Sequence, residues 1–319
     1  MERSASSESQ LTYSRFMERF PDNDACLDYL KERFYSAGTE CPGCGKATKF
    51  HRIKSRAAYS CQYCRHQVYP TAGTIFHKST TSLQLWFWAI FLMSSTRCGM
   101  SAKQLEREIG VTYKTAHRMF KQIRTLLAED DGPLSGDVEA DETYYGGKPR
   151  VADMARHRAQ YSPQRAAMKW AAETKTPVFG MVERGGRVRA MVIADNAGQT
   201  LRHRIGEHVL PESMIFTDEY KGYWGLERDF KGHRRIMHRE RIYVRGDVHT
   251  NTIEGFFGLL KNGIRGVYHA VSRQYLQSYL DEYSWRYNHR DDTQPMFWTI
   301  LARVEKASPP PQLAAPRNG

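Results

Sequence analysis

Four cysteines set the tightest limit on how this chain can fold. Cys41 and Cys44 form a C-P-G-C knuckle, and after sixteen intervening residues Cys61 and Cys64 form C-Q-Y-C. Two C-x2-C turns at this separation can aim four thiolates at one tetrahedral metal, which is the pattern of a zinc ribbon. Gly45 eases the turn after the first knuckle. Met1 to Gln10 is polar and Ser-rich, unlike a secretory leader, and is expected to be disordered, so reduced thiols and zinc are expected rather than disulfides. The expected zinc is structural, because four cysteines close the coordination sphere; His51 and His66 are near but not needed. Cys26 and Cys98 stand apart and are expected to be buried, reduced core residues.

Charge narrows the partner. The 319 residues carry a net charge of +12, and the excess is uneven. Nine Lys or Arg and no Asp or Glu fall between Cys41 and Leu105. Seven basic residues lie in Lys148–Lys175 against Asp153 and Glu173, and seven in Arg228–Arg245 against Asp229 and Glu240. Three such blocks predict a protein that lies along a phosphate backbone, with double-stranded DNA as the expected partner. Within the ribbon the candidate contacts are Lys46, Lys49, Arg52, Lys54 and Arg56. The most apolar run, Leu83 to Met93, is too short to span a bilayer, so no membrane role is expected.

The N-terminal part reads as helical outside the ribbon. Leu11–Phe20 and Asp24–Tyr35 are short amphipathic helices, the second capped by Asp22 or Asn23, and Gln84–Ser94 is a largely buried helix. Ser101–Gly110 and Thr112–Leu127 follow, with Ser101 and Gln104 as a capping box and a short turn at Gly110-Val111-Thr112. Ala102, Leu105, Ile109, Val111, Ala116, Met119, Phe120 and Ile123 form their shared core. Lys114, Thr115, Arg118 and Lys121 are left outward on the second helix, as in a helix-turn-helix whose second helix enters a major groove.

From Gly136 the pattern changes to strands. Asp137–Tyr145 alternates, Pro177–Arg184 and Arg187–Asp195 flank a two-residue Gly185-Gly186 hairpin, Thr200–Val209 is a helix, and Met214–Thr217 is a strand ending at Asp218. The stretch His249–Gly266 then places Ile253, Phe256, Phe257, Leu260 and Ile264 on one helical stripe. Glu254 and Lys261, seven residues apart, point within about 20° of each other off that stripe. Gly255 and Gly258 leave bare backbone beside them. A simpler reading makes Asn251 the N-cap and Glu254 the third residue of a capping box. Val271–His289 is a further helix whose Tyr275, Tyr279 and Tyr283 are packing residues. Three acids thus fall at telling places, Asp141 on the first strand, Asp218 just past the fourth and Glu254 on the late helix, and a cluster of this kind suits two magnesium ions acting on a phosphodiester. Glu139 shares a strand face with Asp141, so the residues alone do not choose between them.

The ordered motifs C-P-G-C…C-Q-Y-C…T-A-G-T-I-F, V-E-A-D-E-T-Y-Y-G-G-K, I-F-T-D-E-Y-K-G-Y and H-T-N-T-I-E-G-F-F-G-L-L-K resemble those of the DDE transposases of bacterial insertion sequences, in the branch with an N-terminal zinc ribbon. The resemblance spans Leu27 to Arg290. It implies a multidomain α+β chain: a helical segment over 1–36, a zinc ribbon over 37–78, a helix-turn-helix over 79–130, a ribonuclease-H-like mixed α/β catalytic core over 136–303, and a disordered tail over 304–319. It also implies that Asp141, Asp218 and Glu254 are catalytic acids holding magnesium or manganese, with Lys261 the basic residue that follows the glutamate. Recognition of terminal inverted repeats, 3′-end cleavage, strand transfer, a multimeric synaptic complex and a bacterial, cytoplasmic, nucleoid-associated protein belong to the same implication. The alternative is a regulator that keeps only the DNA-binding modules.

Overall fold

The computed structural model describes residues 11–96, 98–146, 155, 158–159, 161–163, 174–236 and 249–305. The disorder expected of 1–10 and of the tail beyond 305 lies outside the described residues, as does most of the basic Lys148–Lys175 segment. Two compact units emerge, Met1–Leu126 with Asp292–Gly319, and Leu127–Asp291. Among the described residues no helix is long and apolar enough to cross a membrane.

The first unit begins with α1 (Tyr13–Arg19) and α2 (Asn23–Phe34), the latter capped by Asp22, whose carboxylate accepts the Ala25 amide at 2.8 Å. A three-stranded antiparallel sheet follows, β1 (Phe50–Ile53), β2 (Ala58–Cys61) and β3 (Gln67–Val68). Then come α3 (Leu83–Ser95), α4 (Ala102–Ile109) and α5 (Tyr113–Arg124). The last two form a tight hairpin. Ser101 caps α4, Gly110 closes it in the left-handed region (φ 69°), where a side chain would be strained, and Thr112 caps α5. Leu105, Ile109, Ala116, Met119, Phe120 and Ile123 are buried as the periodicity predicts.

The helix Met296–Ala302 departs from expectation. The catalytic core was expected to run to 303, yet this helix belongs with the first unit and packs on α3. Phe297 sits among Phe16, Phe20, Phe87 and Phe91, with ring centroids 5.8 to 6.5 Å away. Offset and edge-on aromatic pairs at this spacing each contribute about 0.5–1.5 kcal/mol beyond area burial. Val304, placed by the sequence in a disordered tail, is likewise buried. Cys26 is buried as expected, but Cys98 is exposed, in the turn after α3.

The second unit is a five-stranded sheet with helices on both faces. Its strands are β4 (Asp137–Tyr145), β5 (Thr176–Glu183), β6 (Val188–Val192), β7 (Met214–Thr217) and β8 (Gly232–Arg235), in spatial order β6-β5-β4-β7-β8. β4, β5 and β6 are antiparallel neighbours, whereas β7 and β8 run parallel to β4. β8 was not anticipated: Gly-His-Arg-Arg lacks any apolar alternation because an edge strand needs little burial. The β5–β6 loop is one residue longer than expected. Val182 pairs with Val188, and the Glu183 amide bonds the Arg187 carbonyl at 2.9 Å, so the loop is Arg184-Gly185-Gly186.

On one face α6 (Gly198–His208) covers Val138, Ala140, Phe179 and Ile215. On the other lie α7 (Asn251–Gly263) and α8 (Arg273–Asn288). The predicted stripe Ile253, Phe256, Phe257, Leu260 and Ile264 is buried there against Val178, Val182, Leu276, Leu280 and Tyr283. Gly180, paired with Asp141 across the sheet, sets how closely α7 approaches. A Cβ at this position would lie 2.7 Å from Phe257 Cζ and 2.9 Å from Ile253 Cδ1. Gly180→Ala is therefore expected to destabilise the second unit by about 1–3 kcal/mol through overpacking; a urea midpoint equal to the parent's would show that α7 slides away freely.

Candidate active site and zinc centre

The two knuckles meet as expected. The thiol sulfurs of Cys41, Cys44, Cys61 and Cys64 all lie within 4.8 Å of one another, with Cys41–Cys64 at 3.6 Å and Cys44–Cys61 at 4.0 Å. A tetrahedral zinc with Zn–S bonds of about 2.3 Å requires sulfur–sulfur edges of about 3.8 Å, so these donors fit it. Each knuckle turns its amides onto its first sulfur, Gly43 N to Cys41 Sγ and Tyr63 N to Cys61 Sγ, both at 3.4 Å. Gly43 is required for the closure: a Cβ there would fall 2.7 Å from the His66 side chain. Cys61→Ser is expected to abolish stoichiometric zinc and loosen the first unit, leaving the melting of the second unit unchanged because its core is separate. Metal analysis and a thermal melt followed in both units would check this; retained zinc would refute it.

The acids converge at the middle of the second unit's sheet. Glu139 of β4 is level with Phe216 of β7, so the parallel register, carried two residues further, brings Asp141 alongside Asp218. Adjacent strands lie about 4.8 Å apart. Asp218 is held by the Tyr220 amide, which donates to its Oδ1 at 2.9 Å, and Asp141 Oδ1 accepts the Glu142 amide at 2.8 Å. Glu254 arrives from α7 on the same side. Burial pushes the Asp141 carboxyl up to about 6, with the charges of Asp218 and Glu254 adding to the rise and Lys261 opposing it. That mutual influence places all four in one electrostatic cluster. The set fits a hard divalent cation: oxygen donors only, crowded enough to favour protonation unless positive charge is supplied. The acids are spread more widely than the thiols; among the described residues only the four cysteines have all their ligand atoms within 4.8 Å.

Glu254 is not the third residue of a capping box. The N-cap is Thr250, not Asn251, and no side chain of that residue caps the helix. Instead the Thr250 hydroxyl donates to Glu254 Oε1 at 2.8 Å, holding an otherwise exposed carboxylate in place. Gly255 and Gly258 have open space where a Cβ would stand, as expected of a face left clear.

Glu139, on the same strand face as Asp141, is engaged in contacts of another kind. Its carboxylate is 0% exposed and accepts the amides of Thr252 (2.8 Å) and Ile253 (3.1 Å), the Thr252 hydroxyl (3.0 Å) and Arg184 Nε (2.8 Å), with His249 Nδ1 at 3.0 Å. It is the cap of α7, supplied from the sheet. Arg184 also donates to the His249 carbonyl at 2.8 Å and stacks 3.9 Å from the Phe216 ring. This half-buried pair, Glu139 fully enclosed and Arg184 18% exposed, thus ties β4, β7 and the first turn of α7 together.

Comparison with known proteins gives the family. Residues 133–288 match the ISXO2-like transposase domain, and residues 21–67 match the transposase zinc-ribbon domain. A protein of transposable element ISH50 in Halobacterium salinarum, itself uncharacterized, is 30% identical over 277 residues, covering 85% of this chain and 92% of that protein. The chain belongs to this transposase family. An uncharacterized transposase-like protein of Haemophilus influenzae is 26% identical over 122 residues, 38% of this chain and 96% of its own length. Among solved structures, the intasome of simian T-cell lymphotropic virus in complex with a PP2A regulatory subunit aligns with 72% of this chain and 78% of its own at 17% identity, with a TM-score of 0.29, too slight a likeness to bear on the fold.

The residues of this transposase-family chain expected to meet DNA are distributed unevenly. Lys46, Lys49, Lys54 and Arg56 are exposed on the ribbon. Arg52 is instead committed locally: it pairs with Asp24 at 2.7 Å and donates to the carbonyls of Ile53 and Arg56. On α5, Lys114 and Lys121 are exposed, while Thr115 is half-buried, its hydroxyl 3.0 Å from that of Thr112. Arg118 is exposed but leans back to Ser79 Oγ (3.2 Å) and the Trp86 ring (5.9 Å). Sequence reasoning passed over Glu142 and Tyr223. The buried Tyr223 phenol donates to Glu142, whose carboxyl is raised to about 7 by burial and by the charges of Asp141 and Asp218. The alternation of β4 already put Glu142 on the opposite face from Asp141; its tyrosine partner, 81 positions away, carried no signal.

Proposed function

We propose that the chain is an active DNA transposase that cuts the ends of its element and joins them to target DNA, with Asp141, Asp218 and Glu254 as the acids. What supports the reading is the parallel register of β4 with β7, which ends one residue before Asp218 and extends toward Asp141, together with the influence of Asp218, Glu254 and Lys261 on the Asp141 carboxyl. The sheet order, three antiparallel strands extended by two parallel ones, supports a ribonuclease-H-like core.

The three carboxylates would hold magnesium or manganese, which supplies a polarised nucleophilic oxygen and offsets charge on the departing one. Thr250 holds the exposed Glu254 carboxylate in place, the amides of Glu142 and Tyr220 fix the two aspartates, and Lys261 would supply a point charge to orient the scissile phosphate. The hairpin of α4 and α5 suits a helix-turn-helix, with Lys114 and Lys121 toward the groove, while the ribbon lysines and Arg56 would follow the backbone. Synapsis of two element ends calls for more than one copy of the chain.

The test is magnesium-dependent nicking of an oligonucleotide carrying the element's terminal repeat, read from the DNA flanking the gene. Glu254→Gln keeps the oxygen that accepts from Thr250, so its thermal melt should match the parent's while nicking falls by orders of magnitude. Parental nicking rates in that variant would remove Glu254 from the mechanism.

A further inference from the structure

A solvent-facing indole is built into the loop after β7. Trp224 is 52% exposed, yet the loop that carries it is held by several contacts. Tyr223, immediately before it, is buried with its phenol on Glu142. Arg202 donates to the carbonyls of Gly222 at 3.0 Å and Trp224 at 3.3 Å. Gly222 is packed so closely that a Cβ would fall 2.4 Å from the Tyr220 ring, and Gly225 turns the chain with φ 95°. An apolar ring of this size held in water by an anchored loop is a contact waiting for a partner.

The surroundings identify the partner's chemistry. Lys221 Nζ lies 5.5 Å and Arg235 Cζ 5.9 Å from the indole centroid, two cations against one ring. Arg234 is exposed beside Arg235, and Tyr220 and Tyr144 add exposed phenol rings. Of the nearby acids, Glu227 is turned to His233 at 3.7 Å. The same loop reaches the acid cluster through the Tyr220 amide on Asp218, while Tyr223 anchors it to Glu142 on the other face of β4. A protein hot spot is ringed by groups that exclude water, whereas this ring is flanked by cations whose mutual repulsion a phosphate would relieve. Aromatic faces interleaved with cations are how single strands are held, each base stacking and each phosphate paired.

The geometry points to Trp224, with Lys221 and Arg235, as a stacking site for an unpaired nucleobase of a DNA single strand beside the acid cluster. Bases inside a duplex hide their faces, so the site selects a frayed or displaced strand over paired DNA. The inference rests on the proposed function for the choice of DNA, but its test needs no cleavage.

The zinc-loaded full chain is mixed with an oligothymidylate of about twelve nucleotides carrying one 5-iodouracil, a length within the usual single-strand site size. Irradiation should cross-link the strand to Trp224, located by peptide mapping. Trp224→Ala should lower oligothymidylate affinity roughly tenfold while changing affinity for a mixed-sequence duplex of equal length less than about twofold; Trp224→Phe should keep most of it. The cross-link should disappear when Lys221 and Arg235 are both replaced by Ala. Cross-links confined to other residues, or equal losses on duplex and single strand, would overturn the inference. A chain that nicks element ends but binds oligothymidylate equally well with Trp224→Ala refutes this site alone. A chain that cross-links at Trp224 yet never nicks refutes the proposed catalysis alone.

Discussion

Asp141→Asn is expected to give a protein that resists unfolding better than its parent at pH 7 without divalent metal, and that does not cut DNA. In the folded chain the Asp141 carboxyl titrates near 6 because it is buried and faces Asp218 and Glu254, whereas its ordinary value is 3.8. Below 3.8 both folded and unfolded chains hold the proton and nothing is lost. Between 3.8 and about 6 only the folded chain keeps it, so stability falls as pH rises, and above 6 the full cost of the buried charge remains. At 1.36 kcal/mol per pKa unit the cost reaches up to about 3 kcal/mol. Asn carries no charge and still accepts the Glu142 amide, so it escapes that cost. Magnesium should erase the difference, by stabilising the parent and not the variant. The same titration predicts that magnesium affinity of the parent weakens as pH drops through 6. Urea unfolding at pH 4, 5.5 and 7, with and without magnesium, tests this; a variant no more stable than the parent at pH 7 in chelator would show that the three acids do not strain one another.

Glu139→Ala should act in the opposite direction and through stability first. Removing the carboxylate leaves Arg184, two backbone amides of α7 and the Thr252 hydroxyl without their shared acceptor. Breaking one side of a buried ion pair typically costs about 3–5 kcal/mol, and orphaned amides add to it. The first turn of α7 should then loosen and carry Glu254 with it. If folded protein is recovered, its magnesium requirement should rise while saturating metal restores part of the rate, a signature of displaced rather than missing ligands. Glu139→Gln keeps one acceptor oxygen and should fall between. Parental stability in Glu139→Ala, within about 1 kcal/mol, would show that α7 holds its place by its apolar stripe alone.

The contrast between Glu254 and Glu139 shows what a sequence makes legible. The stripe from Ile253 to Ile264 is visible because helical periodicity and burial are the same fact seen twice, and the structure buries all five residues. The four cysteines are legible for a similar reason: local spacing alone dictates where the thiols point. The cap of α7 was illegible. Asn251 is a good N-cap by type, but the amides are taken by Glu139, 113 positions upstream, and no local pattern encodes that partner. Arg52 and Thr115 looked like charge and hydroxyl for DNA, yet both have neighbours that engage them, Asp24 from α2 and Thr112 at the helix cap. The Gly-Gly hairpin was placed correctly and its length was not, because the register is set by Val182 opposite Val188, a choice the two glycines permit either way.

The helix Met296–Ala302 has a consequence for synthesis on the ribosome. The first unit is discontinuous: its aromatic core includes Phe297, which is translated only after the whole of Leu127–Asp291. N-terminal segments ordinarily fold first as they emerge. Here the sheet that carries the acids can finish folding while Phe16, Phe20 and Phe87 still lack their last neighbour. A released chain truncated before Phe297 therefore keeps every element of the second unit but lacks part of the first unit's aromatic core, so such a truncation is expected to spare the sheet and loosen the unit bearing the basic ribbon and helical hairpin.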